Sequence, residues 1–344
     1  MPGSAVHSRQ PKPAVVLCYK RAMTPFRAWG PYVVLAMGVA VVSAASILIR
    51  YAQAEGVPSL TIAAVRLGVA ALVLTPIVWM RAARELLALR RRDLILALLS
   101  GIALAIHFWS WIASLAHTSV ANSTVLVTTN PLWVGLASML ILGERPHGRT
   151  IGGIALTLAG SLFIFASDGS PTSAALQPDP VRGNLLALLG AVAASAYLLL
   201  GRALRTRVGL LVYIWLAYGT AASVLLLTVG ATGHTLAGYS TFAYAVMIGL
   251  ALGPQLLGHT AFNWALRHVS ATFVAISILG EPIGSALLAL FLLGERFVPL
   301  QLAGFVLILG GIYLAARGEG QGRSRRERVS GKEPDSVQRQ GRPD

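Results

Sequence analysis

Long apolar stretches recur along the chain, separated by short polar breaks. A bilayer core takes about 20 apolar residues per spanning helix. The pattern predicts helices over 31–51, 58–80, 94–116, 119–142, 150–167, 183–204, 209–230, 241–265, 270–293 and 298–316. The breaks carry turn chemistry: Glu55-Gly56-Val57-Pro58, Gly143-Glu144-Arg145-Pro146, and the proline-bearing stretch from Asp168 to Asp179. The expected fold class is an all-α integral membrane protein with ten transmembrane helices.

Charge turns this pattern into a topology. Only 12% of the 344 residues are Asp, Glu, Lys or Arg, against roughly 25% in a soluble domain. Mean hydropathy is +0.68. The net charge of +15 could suggest a nucleic-acid partner, but the basic residues sit in the two tails and in alternate short loops. That placement marks cytoplasmic segments, and no nucleic-acid partner is expected. Arg9, Lys12, Lys20, Arg21 and Arg27 precede helix 1. Arg81, Arg84 and Arg90 to Arg92 follow helix 2, Arg145 and Arg149 helix 4, Arg205 and Arg207 helix 6, and Arg267 helix 8. The opposite loops hold only Arg182 and Arg296, with Arg50 at an outer helix end. Both termini are therefore expected in the cytoplasm, in a multi-pass protein of a bacterial plasma membrane. Residues 1–30 form a polar N-terminal tail without the apolar core of a signal peptide, and Met23 is an alternative start. The tail 317–344 is polar, charged and Gly-rich, a composition expected to be disordered. The single cysteine, Cys18, makes no internal disulfide or multi-cysteine metal site.

The chain repeats itself. Pro131 precedes Gly143-Glu144-Arg145 by the spacing that separates Pro282 from Gly294-Glu295-Arg296. In the same register His117 matches His268, Ser119 matches Ser270, Trp111 matches Phe262, Gly153 matches Gly304, and Gly160 matches Gly311. With a one-residue gap, Gly38 matches Gly190 and Arg50 matches Arg202. The repeats are residues 31–167 and 183–316, joined by an external loop over 168–182. Five helices per repeat is an odd number, so the second repeat enters the membrane inverted. Inverted repeats underlie alternating access to a midplane site in many secondary transporters.

These residues resemble the EamA family of the drug/metabolite transporter superfamily, with two EamA units. The resemblance covers residues 31–316 and rests on Asn130-Pro131, Glu281-Pro282, the two Gly-Glu-Arg turns and the paired glycines. Arg66 and the Trp264-Ala265-Leu266 stretch before Ser270 add to it. It implies a ten-helix basket that moves small metabolites, often outward, with members handling amino acids, sugars, nucleotide-like compounds and drugs. One departure is Met37-Gly38 in helix 1, where many relatives carry Trp-Gly.

Glu281 is the leading candidate for both substrate binding and proton coupling. A carboxyl near the middle of a spanning helix is costly, so it faces a cavity or a partner. Its structural alternative is a neutral side chain bonded to a carbonyl freed by Pro282. Asn130 holds the equivalent place in helix 4, and Pro131 and Pro282 are expected helix kinks. Arg66 in helix 2 suits a substrate carboxylate or phosphate, or instead an ion pair with Glu281. His107 and Trp111 share a face of helix 3. Gln255, His259 and Asn263, with Phe262, are read along one face of helix 8. These eight residues, Glu281 to Asn263, are the candidate substrate site, though each histidine could equally serve a helix–helix hydrogen bond. Tyr197, Tyr213 and Tyr218 are read as packing, as are the four paired glycines. Glu144 and Glu295 are read as structural helix ends.

The chain has no phosphate-binding lysine loop, no metal-ligand spacing and no Gly-x-Ser-x-Gly elbow. No cofactor, metal or enzymatic activity is expected. The leading reading is a secondary transporter exporting amino-acid-like or drug-like compounds, with small-molecule substrate and membrane lipid as partners and a homodimer left open. A membrane enzyme or lipid-handling protein, and a non-transporting assembly or sensor subunit, are the alternatives.

Overall fold

The computed structural model describes residues 25–118, 120–141, 147–167, 179–293 and 299–330. Cys18, Met23, Ser119, both Gly-Glu-Arg turns, most of the 168–182 loop and the tail from 331 lie outside the described residues. The chain divides into Met1–Gly30, of which residues 25–30 are described and helical, and Pro31–Asp344. Among the described residues every regular element is a helix.

The first apolar stretch is two helices, α1 (Pro25–Val42) and α2 (Ala45–Ala54), interrupted at Ser43 and Ala44. A turn follows in which Gly56 takes φ 77°, a backbone region that costs glycine little. Then come α3 (Ser59–Arg81), the short α4 (Ala83–Leu87) and α5 (Arg91–Leu115). The fourth stretch is again broken, into α6 (Val120–Val127) and α7 (Asn130–Ile141), before α8 (Gly148–Ser167). The second half runs through α9 (Pro180–Leu204), α10 (Leu210–Ala231) and α11 (Thr241–Leu250). A π-helical stretch over Ala251–His259 continues α11 into α12 (Thr260–Ala265). The chain ends through α13 (Ala271–Ile278), α14 (Glu281–Leu293) and α15 (Pro299–Ser330).

Local chemistry sets several of these starts. The Asp179 carboxylate accepts from the Arg182 N–H at 3.0 Å, with Pro180 in the first turn, where its missing N–H costs nothing. Ser240 caps α11 through the Ala243 N–H at 3.1 Å, and Ser270 caps α13 through the Phe273 N–H at 3.0 Å. The last helix differs from expectation. It runs on to Ser330, through residues 317–330 that composition marks as disordered.

Six helical runs are long and apolar enough to cross a membrane: Gly30–Ala54, Ser59–Arg81, Arg91–Leu115, Val181–Leu204, Leu210–Ala231 and Thr241–Ala265. The described parts of the fourth and ninth stretches are broken by turns at 128–129 and 279–280. Large apolar side chains face outward across the molecule, Leu227 at 75% and Phe291 at 80% exposure among them. A surface so apolar needs lipid or a protein to cover it.

The equivalent glycines of the two repeats meet. A Cβ at Gly153 would lie 2.7 Å from the Gly311 carbonyl oxygen, and one at Gly160 would lie 2.6 Å from that of Gly304. The helices α8 and α15 are thus antiparallel along a glycine seam, as twofold-related units require, and the close approach supplies packing that lipid cannot.

Loops gather at two ends. At one, Arg207 pairs with Asp93 at 3.0 Å, Glu85 accepts from the Gly209 N–H, and Arg205 Nε donates to the Asn263 carbonyl at 3.1 Å. At the other, Ser240 donates to Glu55 at 2.6 Å and Thr61 to the Thr235 carbonyl at 3.1 Å. Each bonded pair joins segments that the charge pattern assigns to the same side.

Candidate functional site

The site grows from the two broken helices. Pro131 and Pro282 were expected to kink continuous helices. Instead each is the second residue of a new helix, α7 or α14, after a full interruption. In that position the absent N–H is one of the groups a helix start leaves unpaired anyway. Asn130 and Glu281 are therefore helix-initiating residues, and they are only 3% and 5% exposed.

Each break is held from the other repeat. Ser195 in α9 donates to the Asn130 carbonyl at 3.2 Å and to the Ala191 carbonyl at 2.7 Å. Ser43 bears the same relation to the other break, with the Glu281 carbonyl at 3.4 Å and the Val39 carbonyl at 2.8 Å. Ser285 Oγ returns a bond to the Ser43 carbonyl at 2.8 Å. These serines were not singled out from the sequence. The signal was present: the register that places Gly38 on Gly190 and Arg50 on Arg202 also places Ser43 on Ser195.

Between the breaks lies a cavity with about 520 Å³ of empty space, its mouth included. Only about 40 Å³ of that space is open to the centre of a water molecule, so the cavity is narrow as it stands. Five expected residues line it together: His107, Trp111, Asn130, His259 and Glu281. Tyr197 and Phe262 complete an aromatic wall, with Val42, Val127 and Leu198 as apolar fill. Tyr197, read from sequence as packing, is thus part of the wall. The His107 and Trp111 rings stack with centroids 6.0 Å apart, and the His107 and His259 rings stand 6.4 Å apart. His107 Nδ1 meets the Gly190 carbonyl at 2.9 Å. A carbonyl only accepts, so Nδ1 carries the proton and Nε2 is the acceptor of the neutral ring. Among the described residues, the buried wall atoms Asn130 Oδ1, Glu281 Oε1 and Trp111 Nε1 find no hydrogen-bond partner. Two acceptors and one donor suit a small polar ligand.

The other three candidates lie behind this wall and not on it. Arg66 is fully buried, donates from Nε to Gln255 Oε1 at 2.9 Å, and sits 4.0 Å above the Phe108 ring. It forms no ion pair with Glu281 within 4.0 Å, although the two charges still feel each other. Asn263 Nδ2 is engaged by the Tyr218 hydroxyl at 3.3 Å and the His259 carbonyl at 2.9 Å. The π-helical stretch explains the separation of the helix 8 candidates. Pro254 inside it removes one helical N–H, and the wider turn takes up the missing bond. A wider turn also destroys the alignment of residues four apart. Gln255 turns toward Arg66, while His259 reaches the cavity. Among the described residues, no group of three or more His, Cys, Asp or Glu side chains is placed to hold a metal ion.

Comparison with known proteins places this arrangement in context. The EamA-like transporter family matches twice, over residues 30–166 and 181–317. An uncharacterized protein of Pseudomonas aeruginosa is 32% identical over 52% of this chain, and the match spans 58% of that protein's length. Uncharacterized transporters of Archaeoglobus fulgidus and Clostridium kluyveri are each 24% identical over 63% of this chain, covering 73% and 70% of their own lengths. A solved crystal structure superimposes with a TM-score of 0.69 at 18% identity, covering 85% of this chain and 98% of the other. That likeness concerns the fold alone.

Proposed function

The chain belongs to the EamA-like transporter family, and on that premise we propose that it is a secondary active carrier exporting small amino-acid-like or drug-like metabolites. The observation that carries this reading is the cavity between the two helix breaks, walled by chemistry from both repeats. Its residues come from equivalent helices: Trp111 answers Phe262 and Asn130 answers Glu281, while His107 and His259 lie one register position apart. A site shared by two inverted units is exposed to one end or the other as the units rock. Ser43 and Ser195 tie each break to a helix of the opposite unit, so the breaks move with it. Ten crossings, cytoplasmic termini and a plasma-membrane location belong to this reading, supported by the charge pattern.

Glu281 is the coupling group. Its carboxyl lies in the cavity wall without an ion-pair partner within 4.0 Å among the described residues. A proton or a substrate ammonium satisfies it, and exchange of one for the other links occupancy to the opening of one face. The test is a metabolite profile of the medium from cells expressing the protein or an equally abundant Glu281→Gln variant. A compound that accumulates outside only with the unmodified protein names the substrate class. In liposomes, Glu281→Gln is expected to abolish turnover or its pH dependence while the protein stays folded. Flux equal to that of the unmodified protein at every pH sinks the role.

A further inference from the structure

Arg66 is a fully buried cation with no contacting counter-ion among the described residues. Among the described residues, neither Nη1 nor Nη2 has a hydrogen-bond partner, and no carboxylate forms an ion pair with it within 4.0 Å. The Phe108 ring under the guanidinium offsets only part of the cost of burying it. The neighbouring amide sharpens the picture. Arg66 Nε donates to Gln255 at 2.9 Å, so the Gln255 oxygen must face the guanidinium. Gln255 Nε2 is then a donor by necessity; it makes no well-formed hydrogen bond among the described residues, although the Tyr218 hydroxyl stands near it. The two Nη nitrogens of Arg66 thus bring four N–H groups together with no acceptor among the described residues, beside a Gln255 amide that points its own donors the same way only as far as the Tyr218 hydroxyl.

A cluster of donors around a full positive charge is the complement of an anion. One layer of rings separates it from the cavity: His259 lines the cavity, meets Phe108 edge-on at 5.0 Å, and Phe108 in turn lies against Arg66. We propose that Arg66 and Gln255 form an anion-binding site that opens to the cavity when the Phe108 and His259 rings part. The ligand is a small monovalent anion, either the carboxylate of a transported compound or a free ion such as chloride. The site deepens the carrier reading and rests on it only for the first of these sources.

The experiment uses the full-length protein in nanodiscs of zwitterionic lipid. Thermal unfolding and tryptophan fluorescence are followed as sodium acetate or sodium chloride replaces sodium morpholinoethanesulfonate, a bulky reference without a carboxylate, at constant ionic strength. A saturable rise in the unfolding midpoint is expected, with an apparent affinity at least about tenfold weaker in Arg66→Gln, the worth of a hydrogen bond to a charged group. Gln255→Glu supplies the missing anion from the chain itself. It is expected to be more thermostable than the unmodified protein in the sulfonate reference and blind to added acetate or chloride. This second variant decides the matter if Arg66→Gln does not fold. A response to acetate without one to chloride assigns the site to carboxylates, and an equal response assigns it to free anions. No saturable response in the unmodified protein, or a response that survives in Gln255→Glu, overturns the site. Flux without an anion response defeats the site and leaves the carrier. An anion response without flux does the reverse.

Discussion

The contact between Gly284 and Ser43 offers a quantitative test of how the two halves are joined. Gly284 lies one turn beyond Glu281, and a Cβ added there would stand 2.1 Å from Ser43 Oγ and 2.6 Å from Ser43 Cβ. The hydroxyl could swing aside, but the Cβ is fixed to its backbone. Ordinary contact begins near 3.4 Å, so α14 and the α1–α2 break must separate by about 0.8 Å. Overpacking of this kind costs about 1–3 kcal/mol, while alanine in place of a helical glycine returns about 0.5–1 kcal/mol. Gly284→Ala should therefore lose up to about 2.5 kcal/mol of stability, and stand about 1–3 kcal/mol below an alanine that meets no clash. Ser43→Gly alone gives up the single hydroxyl proton shared between the Val39 and Glu281 carbonyls, about 0.5–1.5 kcal/mol. In the double variant the clash is gone, so the two losses should not add, and the cycle should show a favourable coupling of about 1 kcal/mol or more. Gly249→Ala is the control, since nothing lies within 4 Å of a Cβ there. Thermal unfolding in nanodiscs reads all four proteins. Equal stability of Gly284→Ala and Gly249→Ala, or simple additivity in the double variant, would refute the argument.

The remaining expectations can be checked on the same preparation. Gly153→Val and Gly311→Val each drive a side chain into the facing helix, where a Cβ already meets a carbonyl oxygen at 2.7 Å. Both should lose at least about 1–3 kcal/mol, read as a lower unfolding midpoint, whereas Gly148→Val, with open space around it, should not. Ser43→Ala and Ser195→Ala each delete the side-chain bond to one helix break, at about 0.5–1.5 kcal/mol. If the breaks move with the opposite unit, the pair should reduce liposome flux more than either alone, and undiminished flux in the double variant argues against that coupling.

Much of this molecule could be read from its sequence, because the bilayer and the repeat impose patterns that survive in one dimension. Apolar runs locate helices since backbone groups in lipid must be satisfied within the segment. Matching residues at a fixed register exposed the two units, the family, and the positions of Asn130 and Glu281 within them. Composition failed at 317–330, where the helix continues through polar sequence. It also failed to separate a kink from a break, because Pro131 and Pro282 are compatible with either until the preceding turn is seen.

The tertiary structure decided which candidates share a cavity. Periodicity placed Gln255 and His259 on one helical face, but a π-helical stretch is a small shift in hydrogen bonding that no hydrophobic pattern records. It sends Gln255 to Arg66 and His259 to the cavity. An Arg66–Glu281 ion pair was plausible from residue types alone, yet helix packing holds the two apart and leaves the guanidinium against Phe108. Ser43 and Ser195 are ordinary serines in the sequence and become clamps only because α2's break and α9 pass beside Glu281 and Asn130. A sequence carries chemistry and period, both local properties. Which buried polar atoms find partners depends on distances between helices far apart in the chain, and those are set only when the helices pack.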